Sequence, residues 1–78
     1  PELVDVDLGH VVQHLRAPTL VLVGEHDRVT PVRAARALAE ALPDGRLEIV
    51  RGAGHIPMLE RPEEVTAAIR AFAEDRFA

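Results

Sequence analysis

The chain has 78 residues, 47% of them hydrophobic and 28% charged, which argues against disorder and allows one small domain at most. Nine basic and thirteen acidic residues leave a net charge of −4, and the basic ones are scattered, so neither a nucleic-acid surface nor an anionic-membrane surface is indicated. There is no cysteine for a disulfide or a thiolate metal site, and no apolar run approaches the roughly 20 residues of a membrane span.

The first residues, Pro1-Glu2-Leu3-Val4-Asp5, have neither the basic start nor the apolar stretch of a signal peptide. Met is missing from the first position, so the chain is expected to be a fragment or a processed piece, and its expected location is cytoplasmic. Residues Leu8 to Leu15 suit a short helix with Val11, Val12 and Leu15 on one side. Pro18 then sets off Thr19-Leu20-Val21-Leu22-Val23, a continuous β-branched and apolar run closed by Gly24. Such a run is a strand covered on both faces, as in a parallel sheet.

Thr30-Pro31 provides a helix start, with Thr30 as N-cap and Pro31 in the first turn. Ala35, Leu38, Ala39 and Leu42 follow at helical spacing, opposite Arg33, Arg36 and Glu40. Pro43 stops this helix, Asp44-Gly45 makes a turn, and Leu47 to Val50 is a second short strand. Gly52-Ala53-Gly54-His55 opens a loop that runs to Arg61. Pro62-Glu63-Glu64 begins the last helix, whose expected buried face is Val65, Ala68, Ile69, Phe72 and Ala73. Strand, helix, strand with a short return is a βαβ unit, so the strands are parallel and joined by a right-handed crossover. Parallel strands end on one edge of the sheet, and ligands bind beyond that edge.

Two loops leave this edge. One carries Glu25-His26-Asp27 just past the first strand, and the other carries His55 five residues past Val50. Neighbouring strands lie about 4.8 Å apart, so a carboxylate and an imidazole at these offsets can meet. A carboxylate that accepts from one ring nitrogen fixes the tautomer and leaves the other nitrogen able to take a proton. The glycines around His55 suit a loop that turns sharply.

Strand, G-E-x-D-x-x-x-P, helix, strand, G-x-G-H-x-P-x-x-E-x-P-E and a final amphipathic helix resemble the end of the α/β-hydrolase fold family, from about Ala17 to Phe72. The resemblance implies an α/β fold and makes residues 1–78 the C-terminal portion of such a domain, incomplete by itself. It implies the triad acid at Asp27 and the triad base at His55. In that family the nucleophile precedes both, on a G-x-S-x-G elbow. Here the whole chain contains no Ser, Cys or Lys, and its hydroxyl side chains are Thr19, Thr30 and Thr66. The isolated chain is therefore expected to be inactive.

Each of these residues also has a plainer reading. Asp27 is suited to capping the turn into the helix, and His55 to bonding within its loop. Glu25 offers a second carboxylate for the acid role, but in the family pattern it is the outer residue. His26 is expected at the surface. Pro57 stiffens the His55 loop and Glu60 bonds its amides. Ile56, Met58 and Leu59 are expected to pack in the core, with lining a substrate pocket as the alternative. His10 and His14 share a helix face, yet two ligands without a third make a poor metal site, and a solvated face is the better reading.

The sequence thus points to the acid-base half of a hydrolase that acts on an ester, lactone, thioester or related carbonyl compound. No metal or organic cofactor is implied. The expected partners are that small-molecule substrate and the missing N-terminal part of the enzyme, with no nucleic acid and no membrane. The competing reading is a non-catalytic module that kept the fold and uses its uncovered strand edges to dimerise or dock.

Overall fold

The computed structural model of the chain describes residues 14–77. Its elements run β1 (Thr19–Gly24), α1 (Val32–Ala41), β2 (Gly45–Val50), α2 (Pro57–Glu60) and α3 (Pro62–Phe77). Of the expected helix over Leu8 to Leu15, residues 8–13 lie outside the described residues, and so does His10. Among the described residues no helix is long and apolar enough to cross a membrane.

β1 and β2 form a two-stranded parallel sheet in which Thr19 lies opposite Gly45 and Gly24 opposite Val50. β2 starts at Gly45 rather than Leu47, because Gly45 and Arg46 already pair with Thr19 and Leu20. The turn expected at Asp44-Gly45 accordingly falls on Pro43 and Asp44. The Thr19 amide donates to the Asp44 carbonyl (2.9 Å) and the Glu25 amide to the Val50 carbonyl (2.9 Å), which extends the pairing at both ends.

α1 begins one residue later than expected. Its N-cap is Pro31, in extended conformation and with no side-chain cap bond. The Thr30 amide donates to the Asp27 side chain, so Thr30 belongs to the preceding turn. The expected stripe on α1 is present: Ala35 and Ala39 are buried, Leu42 just past the helix is buried, and Leu38 is half-buried. α1 packs on both strands.

α3 also packs on both strands. Val50, Ala53 and Val65 form a small core with Leu22 against it. Side chains alternate along a strand, so Val21 and Val23, with Leu47 and Ile49 opposite them, belong to the other face. On α3 only Val65 and Phe72 of the expected face are buried. Ala68 is half-buried, while Ile69 and Ala73 are exposed. Two strands are too narrow to receive a full helix face, so one strip at i, i+3, i+7 is covered. The neighbouring strip, Thr66, Ile69, Arg70 and Ala73, lines an open groove.

Phe72 anchors the far end. The Arg46 and Arg76 guanidinium groups lie 5.7 and 5.9 Å from its ring centroid, and the Phe77 ring meets it edge-on at 6.2 Å. Arg46 bonds Asp75, and Arg76 pairs with Asp44 at 3.3 Å. These contacts tie the end of α3 to the start of β2, leaving the opposite edge of the sheet to the two loops.

Candidate active site

The loop after β1 folds back at once. The Asp27 amide donates to the Gly24 carbonyl (3.1 Å), and the His26 amide donates across to the Ala53 carbonyl (2.8 Å). This turns the Asp27 side chain inward, where the residue is 8% exposed and the sole buried charged residue among those described. Its Oδ1 accepts the amides of Val29 and Thr30, both at 2.8 Å. The bond from the Thr30 amide is the main cause that holds the Asp27 carboxyl below its ordinary range. Burial opposes it, and His55 and Val29 add to it.

The loop after β2 must reverse within a few residues. Gly52 has φ +76°, in the left-handed region where a side chain is strained, and the Ala53 amide then donates to Val50 (3.3 Å). The sequence suggested this freedom for the glycines around His55 generally, but among the described residues only Gly52 uses it. Gly54 instead leaves its amide to Glu60 Oε1 (2.8 Å), while Glu60 Oε2 takes the Ile56 amide (3.4 Å). One carboxylate therefore brackets His55 on both sides, as the sequence suggested for Glu60. A Cβ on Gly24 would lie 2.0 Å from the Gly54 carbonyl oxygen, so the two loops cross backbone against backbone.

That crossing brings Asp27 and His55 together. His55 Nδ1 is 3.1 Å from Oδ2 and 3.2 Å from Oδ1 of Asp27. An ionised carboxylate can only accept, so Nδ1 carries the proton, and in the neutral ring Nε2 keeps its lone pair. The carboxylate is 5% exposed and the imidazole 54%, so the ring bridges an enclosed anchor and open space. Such a pair can remove a proton from a neighbouring group and hold the resulting imidazolium. Capping the turn and receiving the imidazole, two alternatives in the sequence, are carried out by one side chain.

The other candidates fall as follows. His26 is exposed, as expected. Pro57 is buried at the start of α2, whose single turn points its neighbours outward. Ile56, Met58 and Leu59 are consequently 44%, 57% and 75% exposed, and the expectation that they pack in the core is corrected. His14 is exposed, and no group of three metal-binding side chains occurs among the described residues. Glu25 is the residue whose contact the sequence did not reveal. Its Oε1 accepts the Gly52 amide at 2.9 Å, a link across 27 positions. Only the two facing turns, one Glu-bearing and one Gly-bearing, hinted at it.

Several known proteins are similar to this chain. Epoxide hydrolase EphH of Mycobacterium tuberculosis is 39% identical over 66 residues, covering 82% of this chain and 31% of that protein. A pimeloyl-(acyl-carrier protein) methyl ester esterase of Xylella fastidiosa is 33% identical over 72 residues, covering 90% and 28%. A thermophilic esterase structure from Thermogutta terrifontis superposes with a TM-score of 0.88 at 36% identity, covering 92% of this chain and 26% of that one. The chain thus spans less than a third of each of these proteins. The family described as the alpha/beta hydrolase family matches residues 3–68. With most of its length matched in this way, the chain belongs to the α/β-hydrolase family.

Proposed function

We propose that this chain is the C-terminal part of a serine-type α/β-hydrolase, with Asp27 as triad acid and His55 as triad base. The observation that carries the reading is the bond from His55 Nδ1 to a buried Asp27 carboxylate, with half of the imidazole open beyond the sheet edge. His55 deprotonates a nucleophile contributed from outside these 78 residues, then returns the proton to the leaving group. Asp27 keeps Nδ1 protonated and stabilises the imidazolium. The substrate is an ester, lactone, thioester or related carbonyl compound. Its reach toward acyl esters is supported by the relative named for a methyl ester and by the esterase structure. The exposed Ile56, Met58 and Leu59 beside His55 supply apolar surface for such a substrate.

The test is a chimera in which this chain replaces the matching segment of the Xylella esterase. It should hydrolyse a nitrophenyl ester, whereas the 78-residue chain alone should not exceed free imidazole. His55→Ala should abolish the chimera's turnover, and Asp27→Asn should lower kcat by roughly 10³–10⁴-fold, as expected when the tautomer is wrong. A folded chimera whose activity ignores both substitutions would sink the assignment.

A second reading, a non-catalytic dimerisation module, has one observation in its favour. Among the described residues both strands present an unpaired outer edge. A stable homodimer whose dissociation leaves the pair Asp27–His55 unformed would favour it.

A further inference from the structure

Three contacts fasten the His55 loop by its alternate amides. Glu60 takes those of Gly54 and Ile56, and Glu25 takes that of Gly52. The two carboxylates act over different distances. Glu60 lies five residues past His55 and stabilises the loop from within. Glu25 lies two residues before Asp27, on the other loop, and its bond to Gly52 reaches the turn three residues before His55. We infer that Glu25 is a positioning residue that couples the acid loop to the base loop and thereby sets the Asp27–His55 bond. The inference rests on the pair having the roles proposed above.

The geometry supports such a coupling. Gly52 sits at φ +76° on the tightest point of the turn, and its amide points back toward the β1 loop. Among the described residues the two loops are also held by backbone bonds from Glu25 to Val50 and from His26 to Ala53. The bond to Gly52 adds a side-chain anchor at the turn itself, where the chain reverses before Ala53. Arg51 lies 3.5 Å and the His26 imidazole 3.6 Å from the Glu25 carboxylate, so its orientation toward the second loop is supported from both sides. The Gly52 amide is also the main reason that the Glu25 carboxyl lies below its ordinary range, ahead of burial, which raises it. The ion pair with Arg51 is the lesser part, because that guanidinium is 83% exposed and water screens it. The amide bond is therefore what positions the loop.

The readout is the tautomer of His55, observed by long-range proton–nitrogen correlation in the full 15N-labelled chain, at neutral pH with a stabilising osmolyte. In the native chain Nδ1–H should dominate. Glu25→Ala should shift His55 toward the tautomer mixture of free imidazole, with the Leu22 and Val23 amide shifts unchanged. Glu25→Asp keeps the charge but is one methylene too short to reach Gly52, and should give the same loss. Glu25→Gln keeps an acceptor at the right distance and should restore Nδ1–H. If the Ala variant does not fold, the contrast between Asp and Gln decides. Nδ1–H dominance that survives in both the Ala and the Asp variants overturns the inference while leaving the proposed function standing. A native chain whose Leu22 and Val23 amides are protected in the osmolyte, yet whose His55 lacks dominant Nδ1–H, overturns both.

Discussion

Asp27 receives four contacts through two oxygens, from the Val29 and Thr30 amides and from His55 at each oxygen. Its carboxyl is held below the ordinary value, with the Thr30 amide as the largest cause. An unfolded Asp titrates near about 3.9. The folded carboxyl binds its proton less readily, so what it contributes is present above that value and lost as pH falls through the lower folded one. The step in the Val29 and Thr30 amide proton shifts that follows the Asp27 carboxyl should therefore have its midpoint below the unfolded value. A midpoint at or above the unfolded value would show that these bonds do not form. The sequence revealed Asp27 and His55 because each lies at a fixed offset from a strand end, and parallel strands bring such offsets to one edge. It did not reveal the contact of Glu25, whose partner is a backbone amide. Every residue type but proline supplies an amide, so beyond the two facing turns little in the sequence marks it.

At the scale of elements, a crossing of two loops makes the pair, and Gly24 permits the crossing. A Cβ there would meet the carbonyl oxygens of Gly54 at 2.0 Å and Ala53 at 2.5 Å. Ordinary carbon–oxygen contacts are about 3.3–3.6 Å, so Gly24→Ala must push the backbones apart by more than about an ångström. Backbone yields less readily than a side chain, and the cost should be about 1–3 kcal/mol. The His26 to Ala53 bond, 2.8 Å across the same crossing, should break first. Denaturant midpoints and the His26 amide exchange rate would check this, and a variant matching the native chain in both would contradict it. The strands and α1 were legible because their apolar runs follow a single period. α3 was legible only in its extent. Val65, Ala68, Ile69, Phe72 and Ala73 all fit one helical face, yet the width of the sheet decides which strip is covered, and width is not written in the helix.

At the scale of the molecule, sheet width also limits stability. A chain of this size buries only about 60% of the surface its unfolded form exposes, and two strands alone are marginal. The structure shows where the shortfall lies. Val23 and Phe72 are well covered, but Leu20, Val21, Leu22, Leu47 and Ile49 are each only half-buried. Leu59, Ile69 and Phe77 are at least half exposed. Small side chains make up much of the core, with Ala35, Ala39 and Ala53 among its buried members, and alanine contributes little apolar area. Opening the strand pair therefore uncovers little that is not already wet. We expect the 78-residue chain in plain buffer to bind a hydrophobic dye and to exchange its Leu20 to Val23 amides with little protection. An excluded osmolyte should raise that protection and reduce the dye signal, because it favours burial of the half-covered strand residues. Joining the chain to the rest of a hydrolase, as in the esterase chimera, should raise it further. A sharp two-state transition in a dilute monomer, with those four amides strongly protected, would show instead that the small core around Val50, Ala53 and Val65 suffices for an independent domain.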